Sequence, residues 1–296
     1  CGAWNREYSM KWEGNRQSGN VEDRRSQRGG GGIFGGRSIG IGTIVLAILG
    51  FVFFGVNPLT TIGVLSGSGS PQVQQPAPAP PANDPQGAFV STVLADTEDV
   101  WNQLFQQSGG RYQEPRLVLY RGVTPTACGT GQSAMGPFYC PGDQKVYLDL
   151  DFFNTLKRDL GADGEFAQAY VIAHEVAHHV QNLLGITDKV DAMRGRISET
   201  QMNALSVRLE LQADCLAGVW GHHAHKSRQI LENGDIERAM NAAAKIGDDA
   251  IQKRSQGYVV PDSFTHGSSA QRVRWFTTGI QTGSVQACDT FNASSL

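Results

Sequence analysis

The sequence predicts an α+β chain that is mainly helical, with a small β-sheet and hairpin, preceded by one transmembrane helix. Three observations predict it. Long segments carry apolar residues at helical spacing between start and stop signals. Short β-branched and aromatic runs flank a Pro-Gly turn. Ile39 to Val56 is an uncharged stretch of about the length that crosses a bilayer.

The 296 residues are 40% hydrophobic and 18% charged, enough for one sizeable core plus appendages. The net charge of −3 gives no basic footprint, so no nucleic-acid partner is expected. Residues 1–37 are polar and Gly-rich, with Lys11, Arg16, Arg24, Arg25, Arg28 and Arg37. They are expected to be a disordered basic cytoplasmic segment, because such a composition buries too little apolar surface to fold. A lipidated Cys1 is a rival reading of the N-terminus.

Residues 38–65 are expected to be a single transmembrane anchor. No amphipathic face interrupts the run, and both flanks read as unfolded, so nothing nearby would bury it. Basic residues precede it and none follows until Arg111, which places the N-terminus in the cytoplasm and the remainder across the cell membrane. The lipid bilayer is thus an expected partner. Residues 66–87 (SGSGSPQVQQPAPAPPANDPQG) read as an extended linker.

Residues 88–296 should form the globular domain. Phe89 to Phe105 reads as an amphipathic helix, Arg116 to Tyr120 as a strand, and Phe138–Cys140 with Lys145–Leu150 as a hairpin around Pro141 and Gly142. Cys128 and Cys140 bracket a Gly-rich loop that a disulfide would staple, and Cys215 with Cys288 remain. Four cysteines permit three connectivities, which the sequence leaves open. No C-x-x-C suggests a cysteine metal site.

The apolar helix from Phe166 to Leu184, with Asp163 and Gly164 at its start and Gly185 at its stop, contains His174-Glu175-Val176-Ala177-His178. Residues four apart share one helix face, so His174 and His178 can offer their imidazoles to one metal ion. Glu175 is pitched to the side, where a general base for water belongs. His179 points to another face and is not expected to ligate. A second helix, opened by a Ser198/Gln201 capping box and running to about Trp220, carries Glu210-Leu211-Gln212-Ala213-Asp214. A hydrolytic site needs a third protein ligand, for which Glu210 is the best candidate. Asp214, one turn later, is suited to accept the free ring N–H of a ligating His.

HEVAHH, ELQADCLAGVWG, IGDDAIQ and FTHGSSAQR together resemble the neutral zinc metallopeptidase family of bacterial membrane proteins. MKWEGNR from Met10 and NVEDRR from Asn20 resemble its N-terminus, which makes residues 1–9 an upstream extension. The pattern is more distantly similar to the CAAX prenyl protease and heat-shock membrane protease group. The resemblance implies a zincin-like domain, a Zn2+ cofactor and a peptide or protein substrate. It assigns Glu210 as third ligand and His266 and Arg272 as groups that stabilise the transition state. Gly267 stands where that group usually has Pro.

The last helix is expected to start at a Ser268/Gln271 capping box and end near Gly279, placing His266 and Arg272 around its first turn. Either can donate to a developing oxyanion, and Arg272 can equally pair with Asp214. Asp235 is expected to cap a helix over 236–253 that contains Asp248 and Asp249, read as solvated acids, with a site role as the alternative that the resemblance implies. His222, His223 and His225 could form a second metal cluster, but they lie where helix-end histidines bond free carbonyls. The expected chemistry is zinc-assisted peptide hydrolysis with Glu175 as base. The alternative is a catalytically silent, zinc-stabilised envelope binding or scaffold protein. The resemblance also implies that a strand beside the active helix binds substrate backbone, a role for which strand 145–150 is one candidate.

Overall fold

The computed structural model describes residues 10–26, 78–133 and 136–296. The 39–56 run and most of the expected linker lie outside the described residues. Among those described, no helix is long and apolar enough to cross a membrane.

The chain is mainly helical with two small sheets. In order come β1 (Val21–Asp23), α1 (Pro85–Gln107), β2 (Arg116–Tyr120), β3 (Val123–Thr126), β4 (Gly129–Gln132), β5 (Phe138–Cys140) and β6 (Lys145–Asp149). The helices α2 (Asp151–Arg158), α3 (Glu165–Leu183), α4 (Ile186–Asp191), α5 (Glu199–Arg228), α6 (Asp235–Lys245), α7 (Asp248–Gln256) and α8 (Ser269–Thr282) follow. Among the described residues the larger sheet has the order β1-β2-β6-β5, and β3 pairs with β4 alone. Strands β1, β2 and β6 run parallel, while β5 returns antiparallel to β6 through the Pro141-Gly142 turn. Strand β6 therefore has a neighbour on each side and offers no free edge. Backbone docking along it is excluded, and the sheet edge beside α3 belongs to β5.

Of the segment 1–37, residues 1–9 and 27–37 lie outside the described residues, and residues 10–26 need the largest correction. Residues 10–26, expected to be disordered, are folded onto the domain. Met10 and Val21 are in the core, and β1 pairs with β2 in the register Val21↔Leu117. The charges of residues 22–25 are paired and largely buried instead of solvated. Glu22, only 2% exposed, accepts from Arg24 (2.8 Å), Lys145 (2.9 Å) and Arg116 (3.2 Å). A composition argument misses this because it counts charges without their partners.

The core gathers residues of the larger sheet and of α1, α3, α5, α6 and α8. Helix α3 buries Phe166, Tyr170 and Val176 completely, with Phe166 stacked on Trp220 of α5 and Tyr170 edge-on to Phe276 of α8. Each such side chain contributes about 1.5–3 kcal/mol through burial. Gly185 ends the α3 segment in the left-handed conformation at φ 68°. Both expected capping boxes are formed, at Ser198/Gln201 and Ser268/Gln271.

Two helix boundaries differ from expectation. The 236–253 helix is split at Ile246–Gly247, because Gly247 lies against the start of α8. A Cβ there would stand 2.5 Å from the backbone nitrogen of Ser269. Asp235 is the first residue of α6 rather than its cap, which is Gly234. Helix α8 continues past Gly279 to Thr282, and Gly283 takes the left-handed terminal position. The disulfides are Cys128–Cys140, which staples the β3–β4 loop to β5, and Cys215–Cys288, which ties α5 to the C-terminal segment.

Candidate metal centre

Helix α3 presents His174 and His178 one turn apart, and α5 crosses it so that Glu210 meets both. One ligand atom from each of these three residues lies within 4.8 Å of the others. His174 Nε2 is 3.1 Å and His178 Nε2 3.5 Å from the Glu210 carboxylate. Glu175, in the same helical turn as His174, is buried beside them. Two histidines and a carboxylate from separate helices thus converge at one point.

Both imidazoles are oriented from behind. Asp214 is acceptor-only, so His174 donates Nδ1–H to its Oδ1 at 2.9 Å, which turns Nε2 toward Glu210 as the atom that can take a metal once its proton is lost. Asp214 also accepts from Tyr170 Oη at 2.6 Å and from Arg272 Nε and Nη2 at 2.8 and 2.9 Å. His178 places Nδ1 2.8 Å from Gln181 Oε1. The Gln181 amide is fixed in turn, donating to Leu209 O at 2.7 Å and Gln212 Oε1 at 3.0 Å. Gln212 donates to Cys288 O, so the disulfide segment braces this side of the site. Sequence reasoning missed Gln181. The available signal was its position three residues after His178 on the same helix.

The electrostatics favour a cation. Burial alone would raise the Glu210 carboxyl, but His178 and His174 outweigh it and hold it well below the usual carboxylate range. Burial also opposes ionisation of Asp214, and Arg272 with His174 brings it down to about 2. For Glu175 burial wins and pushes the carboxyl up, against the opposing imidazoles. A raised carboxyl suits a group that must take and return a proton. Burial pulls His174 down, yet Asp214 and Glu210 carry it up to about 10. A cation at Nε2 therefore has to displace a proton. Two imidazole nitrogens with fixed tautomers plus one ionised carboxylate fit zinc by number and donor type.

The other candidate residues separate clearly. Arg272 is 3% exposed, and its bonds run inward to Asp214, Tyr170 Oη and Ile246 O. Pairing with Asp214, one of two readings of the sequence, is therefore its place in the fold. His266 bonds Asp248 Oδ1 through Nδ1 at 3.2 Å and lies in electrostatic reach of Glu210. Asp248 is not a solvated acid. Its Oδ2 accepts the backbone N–H groups of Thr265, His266 and Gly267 at 2.8, 2.7 and 3.1 Å, pinning that loop. Asp249 likewise accepts Ser269 N–H at 2.7 Å. Gly267 has φ 93° and donates its N–H, both impossible for proline, so this turn requires a residue other than proline.

The remaining histidines bond elsewhere. His179 Nε2 donates to Gln113 O at 2.6 Å while Nδ1 accepts from Tyr139 Oη at 2.9 Å. His222 and His223 bond Ile280 O and Gly283 O at the end of α8, and His225 Nδ1 accepts Leu231 N–H. His222 and His223 thus meet carbonyls of a neighbouring helix end instead of their own.

Residues 10–291 match the family model described as "Putative neutral zinc metallopeptidase". The chain is 51% identical over 291 residues to the uncharacterized protein YpfJ of Escherichia coli (strain K12), covering 96% of this chain and 100% of that one. It is 45% identical over 197 residues to the uncharacterized protein Rv2575 of Mycobacterium tuberculosis (strain ATCC 25618 / H37Rv), covering 62% of this chain and 65% of that one. No solved structure matches it.

Proposed function

Because the chain belongs to this neutral zinc metallopeptidase family, we propose that it hydrolyses peptide bonds at a zinc site made by His174, His178 and Glu210. The observation that carries the reading is the convergence of those three donors with a buried Glu175 beside them. A zinc ion there would supply Lewis acidity, making water a usable nucleophile near neutral pH and polarising the scissile carbonyl.

The chain's own residues do the rest. Glu175 takes the proton of the attacking water and returns it to the leaving amine. Asp214 and Gln181 hold the two imidazoles in the ligating tautomer, and Arg272 with Tyr170 holds Asp214 ionised. With Arg272 committed to that pair, the donor to the developing oxyanion is His266, steadied by Asp248. The open edge of β5, beside α3, is suited to receive a substrate strand, and Tyr139 Oη to His179 ties the two elements together.

In the same reading the 38–65 run anchors the protein to a membrane, and the domain works in an oxidising compartment. The two disulfides support that side. The test is Glu175→Gln in the full chain, which should fold, retain zinc and lose peptide cleavage by about a hundredfold or more. A variant that still turns over peptide at the wild-type rate excludes the mechanism.

A further inference from the structure

The chain before residue 27 and the chain after residue 77 build one sheet. Strand β1 is the parallel neighbour of β2, with Glu22↔Val118 and Asp23↔Leu119 following Val21↔Leu117. Backbone bonds continue the pairing at both ends, from Leu117 N–H to Asn20 O at 2.9 Å and from Arg24 N–H to Leu119 O at 2.8 Å. Asp23 N–H donates to Pro78 O at 2.7 Å, so the two ends of the intervening segment are bonded to each other. Arg25 grips Asp23 and also pairs with Asp84, clamping the exit to the return.

These contacts are more than those of a tail lying on a surface. Trp12 packs edge-on against Phe89, and Lys11 N–H donates to Ile230 O at 2.8 Å. Arg16 and Asn20 both bond the buried Glu98 of α1. Paired strands stand about 4.8 Å apart, whereas the hydrocarbon of a bilayer is about 30 Å thick. A membrane cannot lie between β1 and β2.

We propose that residues 10–26 and 78–296 occupy the same side of the membrane, so that the chain returns to the compartment it left. A single crossing by the Ile39 to Leu65 run would separate β1 from its sheet. Two crossings need roughly 40 apolar residues, more than that run contains. Attachment from one face satisfies both constraints. The lysine and arginine bias before the run predicts opposite sides, which the pairing of β1 with β2 forbids in the folded protein. Lys11, Arg16, Arg24 and Arg25 are each ion-paired, to Glu232, Glu98 with Asp99, Glu22 and Asp23 respectively. This inference does not depend on peptidase activity.

The test is sidedness of labelling in the membrane-bound full chain, with Cys1→Ser removing the one cysteine outside the disulfides. Gln17→Cys and Arg196→Cys each place a single thiol at an exposed position, one in each segment. Intact spheroplasts are treated with a membrane-impermeant maleimide, and detergent-opened ones serve as the full-labelling control. The proposal expects the two variants to behave alike, both labelled or both protected until detergent is added. Labelling of one with protection of the other, repeated in the pair Glu13→Cys and Thr200→Cys, overturns it.

Discussion

Gly279→Ala probes the crossing that assembles the site. Helices α5 and α8 meet backbone to backbone, and a Cβ at Gly279 would lie 1.9 Å from Cys215 O and 2.9 Å from Val219 N. Neither is the tip of a flexible side chain. Restoring an ordinary contact requires α8 to retreat by roughly 1.5 Å. Such overpacking costs about 1–3 kcal/mol or more, against under 1 kcal/mol regained from helix propensity. A net loss of about 2 kcal/mol lowers the folding constant roughly 30-fold and the melting temperature of a domain this size by about 4–8 °C. Arg272 lies two turns earlier on α8, so the same retreat stretches its bonds to Asp214 and loosens His174. Thermal unfolding and chelator competition for zinc should therefore both report a loss. Gly19→Ala, with nothing within 4 Å of the added carbon, is the control. A Gly279→Ala protein with wild-type melting temperature and zinc affinity would refute the packing argument.

Three further outcomes are expected. Asp214 has a pKa of about 2 in the fold against 3.8 for its ordinary value. A depressed carboxyl contributes stability that is full above pH 3.8 and lost as pH falls through 2, about 2 kcal/mol here. Denaturation midpoints between pH 5 and 2 should fall steeply in the wild type and less so in Asp214→Asn, which is already destabilised by an unpaired buried Arg272. Gln181→Met frees His178 Nδ1 and should weaken zinc binding about 10–100-fold in a chelator titration while the far-UV circular dichroism stays unchanged. Removing Cys215–Cys288, whose partners are 73 residues apart, should cost about 4 kcal/mol in urea unfolding. Removing Cys128–Cys140, 12 apart, should cost about 3 kcal/mol.

Helix α3, both capping boxes, strand β2 and the β5–β6 hairpin were legible in the sequence because each is specified locally, by periodicity, a cap or a turn. The meeting of His174, His178 and Glu210 was legible for a different reason, since zinc chemistry demands a third donor and few sequences supply one so well placed. What escaped depends on distant partners. Glu22 and Arg24 look solvated until Lys145 and Arg116 are placed around them. Gly247 reads as helix interior and Gly279 as a helix end until the backbones of Ser269 and Cys215 are seen against them. Arg272 had two readings that only the position of Asp214 could separate.

Metal analysis of the full-length chain tests the central claim most directly. After equilibration with zinc and desalting, the wild type should carry one zinc per molecule, and Glu210→Ala should lose most of it while remaining folded. A Glu210→Ala protein that keeps its full zinc complement, or a wild type that keeps none, would contradict the three-ligand site.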